Sequence, residues 1–355
     1  MNIRVAVCGD VHMCKNSSIV RGRGARYSQR LENCIKSVNW FERLASDNGC
    51  SIVVYLGDFF DSAMLDDETI TAVNDISFNE NVQHYFIVGN HESSVNGLYY
   101  NSASVLGRVK NSLVVSQLTE YVWDNVAFDF IPYILESDRK PLSEYVKQDG
   151  RRHIVFSHND IAGLQMGKFV SKTGFEMGEI EDLCTLYING HIHNFGEIGK
   201  SITNLGILTG QNFGEDAFKY NHYVMILDID TETGAICCDY HTNPYAFNFY
   251  KMEVDDDFDL EKYECLKWKP NGVVSVKCID KLVDRVKEFL RVRGVVEYRI
   301  IVKTSVDTQN KEMTQELSSE SIDYLKKFVE ASIEKFGYSD ILQEELEGVV
   351  NVREY

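Results

Sequence analysis

A chain of 355 residues with 54 acidic against 36 basic side chains carries a formal charge of −18. That length exceeds one ordinary core and predicts a large domain with a smaller one, and the acidic balance excludes a generic electrostatic grip on nucleic acid, though not a local one. Nine cysteines without a C-x-x-C pair, and no apolar run of membrane-spanning length, exclude a disulfide scaffold and a transmembrane segment; a reduced, cytoplasmic protein without a membrane partner is expected.

The first element, "IRVAVCGD", reads as a short buried strand closed by Asp10 and, just beyond it, His12. The stretch "KNSSIVRGRGARYSQR" follows, with Lys15, Arg21, Arg23, Arg26 and Arg30 and no acid. Its plain reading is a solvated loop; its place straight after a candidate ligand pair makes Arg21, Arg23 and Arg26 candidates for DNA contact. Leu31, Ile35, Val38 and Leu44 then recur at helical spacing, "SIVVYLGD" gives a second strand ending at Asp58 and Asp61, and Ile70, Val73 and Ile76 mark a second helix. "HYFIVGN" ends at Asn90 and His91, "HIVFSH" at His158, and "TLYINGH" at His191 and His193. Further strands are expected at "SLVVSQL", "NVAFDFIPY", "ITNLGIL", "YVMILDID" and "AICCDYH".

Short strands alternating with helices predict an α/β sheet built from crossover units, with a second, partly antiparallel sheet packed on it and helices outside, over residues 1–250. The acidic stretch "EVDDDFDLEKYE" is a linker or the first element of another unit. Residues 251–316 then predict a small α+β domain with a strand, helix and strand, and 317–355 a helical segment. In the latter, Ile322, Leu325, Phe328, Val329, Ile333 and Phe336 share one helical face, which either packs on its own domain or docks a partner.

The chemistry gathers where strands end. Ligands of α/β sheets collect beyond the carboxyl ends of strands, so five such ends can converge. Asp10, His12, Asp58, Asn90, His158, His191 and His193 offer imidazole, carboxylate and amide oxygen. That mixture suits divalent manganese, iron or zinc rather than a thiolate-rich structural zinc site. It also exceeds one ion's needs: two ions roughly 3.5–4 Å apart would use it fully if one carboxylate bridged them. Gly190 is expected to let the chain turn tightly enough for His191 and His193 to serve one ion each. His84, His153 and His222 are expected to be structural.

The set "GDVH", "GDFFD", "GNHE", "SHND" and "GHIH" resembles the signature of the calcineurin-like metallophosphoesterases and spans most of the first two hundred residues. The resemblance implies a four-layer αββα sandwich of two mixed sheets. It also implies that Asp10, His12, Asp58 and His193 hold one metal and Asp58, Asn90, His158 and His191 the second, with Asp58 as bridge. His91 would face the substrate and help protonate the leaving oxygen, and Asp61 would orient a ligand from behind.

Within that superfamily, the basic segment, the run "ITNLGILTGQNFGEDAFKYNHYVMILDID" and the unit after residue 250 resemble the SbcD-type DNA repair nucleases, most of all the recombination-exonuclease subunits of T4-type phages. This likeness implies a DNA exonuclease and endonuclease with two divalent ions, manganese first and magnesium, iron or zinc as alternatives. It further implies a homodimer working with an SbcC-like ABC ATPase whose coiled coil docks the terminal helix. Glu92 stands where aspartate is commoner, and Asp61 is followed by "SAML" rather than the Arg-Gly usual in protein phosphatases. A small-nucleotide phosphodiesterase and a protein phosphatase remain the alternatives.

Overall fold

The computed structural model describes residues 2–303 apart from 16, 18, 21, 95, 96, 167 and 168. Arg21 and the helix expected at 318–336 lie outside the described residues.

Strands β1 (Asn2–Cys8), β2 (Ile52–Tyr55), β3 (Gln83–Ile87) and β4 (Ser112–Val115) run side by side in parallel. Their crossovers are α1 (Gln29–Asp47) and, before β3, α2 (Asp67–Val73). Helix α1 starts where the Ser28 side chain accepts from Leu31 N, and it buries Leu31, Cys34, Val38, Phe41 and Ala45, the stripe that a 3.6-residue period puts on one side. That stripe packs on Ala6, Val53, Tyr55 and Phe86 of the sheet. The larger of these side chains, Leu31, Val38, Phe41, Val53 and Phe86, are each worth on the order of 1.5–3 kcal/mol.

A second sheet is built from β5 (Thr119–Trp123), β6 (Val126–Ile131), β7 (Arg152–Ser157) and β8 (Leu186–Asn189), with β9 (Gly196–Ile198) and β10 (Ile202–Asn204) beyond β8. Its edges, β5 with β6 and β9 with β10, are antiparallel, and the strands between are parallel. The chain then returns to the first sheet as the antiparallel pair β11 (Tyr223–Asp230) and β12 (Ile236–Thr242), β11 lying against β1. The inner faces meet in a core of Val5, Val7, Val54 and Ile87 against Phe128, Phe130, Phe156 and Ile188. On the outer face of the second sheet, Ile180 of α3 (Met177–Leu183) packs with Val155, Tyr187 and Ile202. The result is the αββα layering.

One expectation is corrected here. The strands ending at His158 and at His191 share the short, buried pattern of β1 to β3, yet they belong to the second sheet. Burial on both faces identifies a strand between layers and is the same for either sheet.

A third sheet is wholly parallel, β13 (Asn248–Val254) beside β14 (Gly272–Ile279) beside β15 (Glu297–Lys303), with α4 (Asp257–Glu264) and α5 (Val283–Val292) against it. The acidic stretch closes β13 and forms the whole of α4, where Asp256 and Asp259 cap each other's backbone N–H in a reciprocal box. An isolated bridge from Asp216 to Phe249, and Ala217 within the third core, tie this sheet to the turn that follows β10. His84 meets Glu42, His153 meets Asp129 and His222 meets the Ile207 carbonyl, each buried and away from the strand ends discussed below. Among the described residues no helix is long and apolar enough to cross a membrane.

Candidate metal centre

The loops leaving β1, β2 and β3 in one sheet and β7 and β8 in the other open at the same edge of the sandwich, and their side chains form two adjoining groups. In the first, Nε2 of His12 and Nε2 of His193 are 3.0 Å apart, and Asp10 Oδ2 lies 3.8 and 3.9 Å from them. In the second, Asn90 Oδ1 lies 3.0 Å from His158 Nε2 and 2.9 Å from His191 Nδ1. Asp58 Oδ2 stands between the groups, 3.7 Å from His12 Nε2 and 3.2 Å from His158 Nε2. Its other oxygen accepts from the His91 backbone N–H at 2.9 Å, and Asp10 Oδ1 accepts from that of His191 at 3.0 Å.

Donors bound at about 2.0–2.2 Å to one ion lie roughly 3 to 3.5 Å from each other, close to the separations seen in both groups. Asp10 Oδ2 is buried without a hydrogen-bond partner, an acceptor facing the gap. The residues therefore fit a pair of divalent cations: Asp10, His12, Asp58 and His193 around one, Asp58, Asn90, His158 and His191 around the other.

The histidines are held from behind. Asp61 Oδ1 meets His12 Nδ1 at 2.9 Å, Glu215 Oε1 meets His193 Nδ1 at 2.7 Å, and Asp160 Oδ1 meets His191 Nε2 at 3.1 Å. His158 Nδ1 is placed 2.9 Å from the Leu56 carbonyl oxygen. Each partner takes the proton on one ring nitrogen and leaves the lone pair of the other facing the gap. Gln211 donates to Asp61 at 2.8 Å, and Glu215 accepts from the Gln211 backbone at 2.6 Å, so the turn after β10 is anchored to the site.

The backbone is bent to suit. His12, Asp58 and His191 sit at φ of 48°, 46° and 71°, a region that costs a side-chain-bearing residue about 1–3 kcal/mol. This corrects the role expected of Gly190: the turn is made by His191 itself. Gly190 is needed for space, since a Cβ there would fall 2.7 Å from Asp10 Oδ1 and 2.9 Å from the Leu56 carbonyl. Gly89 stands likewise against Asp58, with a Cβ only 2.1 Å from its Oδ1.

Electrostatics follow from packing carboxylates against imidazoles. Burial alone would lower the His12 pKa, but the nearby carboxylate of Asp10, the hydrogen bond to Asp61 and the charge of Asp58 together outweigh it and raise the value to about 10. His158 is likewise opposed by burial and raised by Asp58 and Asp10, to about 9. Burial would push Asp58 up, and the histidines, His158 first, hold it down instead. Burial and the nearby charge of Asp58 lift Glu92 to about 7. Its carboxyl accepts from Phe60 N and Gly89 N at 3.1 and 2.9 Å, which ties the second motif loop to the third.

All seven expected ligands are thus brought together. His91 stays at the rim, 44% exposed, with Nδ1 3.2 Å from the Asp61 carbonyl and its ring edge-on to His12 at 4.7 Å. His91 also comes within 4.8 Å of donor atoms of His12 and Asp58. Of the basic run, Arg30 is not on the surface: its buried guanidinium donates to the carbonyls of Val11 and Gly210 at 3.0 and 2.8 Å, under the His12 loop. Arg26 pairs with Asp75 at 2.7 Å and Lys15 with Asp66 at 3.5 Å, whereas Arg23 forms no ion pair among the described residues. Asp160, Glu215 and Gln211 are site residues that the motif reading missed. The available signals were an acid two places after His158 in "SHND" and an acid straight after the glycine of "NFGED".

The calcineurin-like phosphoesterase family matches residues 3–195. The chain belongs to that family, whose members are metal-dependent phosphoester hydrolases. Among solved structures it is similar to a dimetal phosphatase from Danio rerio, at 13% identity with a TM-score of 0.39, covering 68% of this chain and 99% of that one. No curated protein matches it.

Proposed function

We propose that the chain is a DNA exonuclease and endonuclease dependent on two divalent ions, the nuclease subunit of an SbcCD-like complex. It works as a homodimer with an ABC ATPase, whose coiled coil docks the segment beyond residue 316. The observation that carries the reading is a cleft of about 470 Å³ lined by Lys15, Arg23 and Arg26, with Glu68 its one acidic lining residue among the described residues, immediately after the Asp10 and His12 loop. Lys15 and Arg26 also reach Asp66 and Asp75, and Arg23 forms no ion pair among the described residues. A local concentration of cations on a chain of charge −18 suits a phosphate backbone led toward the site. Arg23 and Arg26 of the cleft, and Arg21 from its place in the basic run, are the proposed DNA contacts.

The two ligand sets described above hold the ions, manganese being proposed because the donors are imidazole and oxygen with no thiolate. Bound there, the ions lower the pKa of water and neutralise charge on the phosphoryl group. The chain's own share is positional. Asp61, Glu215 and Asp160 fix the ring planes, and the rim position of His91 leaves its imidazole free to give a proton to the departing oxygen.

The test is digestion of end-labelled linear duplex by purified protein with manganese, alone and with its ATPase. Intact DNA under both conditions, alongside hydrolysis of phosphoprotein or small diesters, overturns the proposal. A small-nucleotide phosphodiesterase is the second reading, favoured by a cavity that opens beside Asn90. Charge reversal at Arg23 and Arg26 leaves that activity intact and suppresses cleavage of DNA.

A further inference from the structure

Beside the second ligand group the surface falls into a cavity of about 550 Å³ that begins at Asn90 and runs between the Gly97–Asn101 strand and the loops after β4 and β6. Leu98, Leu118, Ile134 and Leu135 form its walls with the ring of Tyr133, which lies 6.1 Å from the His191 ring. Neither lysine nor arginine lines it among the described residues, and its one charged lining residue is Asp138. An anion meets no cationic partner on such walls. A phosphate is therefore kept at the Asn90 end, and what enters the cavity is the uncharged group attached to it.

Three features fit a flat heteroaromatic group. The volume lies within the roughly 300–1,000 Å³ of small-ligand sites. Gln117 and Asp138, with Ser93, Ser94 and Ser116, set hydrogen-bonding groups among the apolar walls, as the edge of a base requires and an alkyl chain does not. Leu118 and Leu135 are 46% and 49% exposed, and the strand that supplies Leu98 also carries Tyr99 and Tyr100, 81% and 69% exposed with ring centroids 4.9 Å apart. Exposed aromatic faces on a strand that borders the cavity offer a surface on which unpaired bases stack.

We propose that this cavity receives the unpaired base of the nucleotide whose phosphate lies at Asn90, with the neighbouring base of the strand stacking on Tyr99, the more exposed ring, against which Tyr100 stands edge to face. The proposal rests on the nuclease reading and adds to it that the strand is frayed, not paired, where it is cut.

Full-length protein is titrated with a phosphorothioate-protected single-stranded oligonucleotide carrying one 2-aminopurine, and separately with 2-aminopurine nucleoside monophosphate. The wild type is expected to quench the oligonucleotide probe. Leu118→Asp, Leu135→Asp and the pair Tyr99→Ala/Tyr100→Ala are each expected to weaken binding about tenfold, with melting temperature and manganese stoichiometry retained. Variants that bind the probe as the wild type does, while the wild type cuts DNA, overturn the base site and leave the nuclease reading standing. Quenching of the monophosphate alone keeps the base site and removes the nuclease reading. Quenching of neither probe overturns the cavity's assignment, and turnover of a short-chain phospholipid diester then gives it to an alkyl group.

Discussion

Nε2 of His193 faces Nε2 of His12 across 3.0 Å while the Nδ1 atoms of both rings are engaged by carboxylates, Glu215 and Asp61. With a proton on each Nδ1, two lone pairs oppose one another beside the unpartnered Asp10 Oδ2. Only a cation or an added proton between them makes that arrangement favourable. Replacing a carboxylate behind a ring by its amide removes the charge that fixes the ring's proton. Glu215→Gln is therefore expected to weaken manganese binding about 10- to 100-fold by calorimetry, with an unchanged circular dichroism spectrum. Equal affinity in the variant would show that Glu215 does not orient His193.

In the ion-free protein that added proton is present at neutral pH. His12 and His158 are raised from an ordinary 6.5 to about 10 and about 9. Because the folded values lie above the unfolded ones, the stabilisation these groups supply is complete below about 6.5 and is lost as pH rises through 9 to 10. Metal needs the bare nitrogens, so binding releases protons and tightens with pH up to that range. Calorimetry at pH 7.5 in buffers of differing ionisation enthalpy is expected to count at least one proton released. A count of zero contradicts the protonated state described here.

His91 separates the roles of proton donor and ligand. Its side chain is the most exposed of the strand-end histidines, at 44%, against 22% for His193. His91→Ala is expected to lower phosphodiester cleavage by about 10²–10⁴-fold with two manganese ions still bound, as measured by metal analysis after gel filtration. A loss of one ion reassigns His91 to the ligand sphere beside His12 and Asp58.

Gly89 tests how tightly the bridge is fitted. A methyl group there meets Asp58 Oδ1 at 2.1 Å and Asp58 N at 2.5 Å, and neither a backbone atom nor a carboxylate locked by the His91 N–H can give way cheaply. Gly89→Ala is expected to lose about 1–3 kcal/mol in denaturant unfolding and to bind fewer than two ions. Gly178→Ala is the control, since among the described residues nothing lies within 4 Å of the Cβ it would add and its φ is outside the left-handed region.

Much of the centre was legible because strand ends announce themselves: a short apolar run stopped by Gly-Asp, Gly-Asn or Gly-His names Asp10, Asp58, Asn90 and His191 before any coordinates. The partition of those strands was not legible, because a run buried on both faces reads alike in either sheet. Arg30 shows the limit in another way. In the sequence it is one more cation in a basic run; in the fold its charge is absorbed by carbonyls from Val11 and Gly210, the latter 180 residues away, and no local pattern encodes a contact of that reach. Glu215 and Asp160 were hidden for the same reason, since each is chosen by a ring brought to it by another loop.

The two ligand groups each draw on both layers: Asp10 and Asp58 follow strands of one sheet, His158 and His193 strands of the other. An ion seated among them would fasten the halves of the molecule together as a rivet joins two plates. Chelation would then be a mechanical event as well as a chemical one, freeing the two layers at the edge that carries both ligand groups.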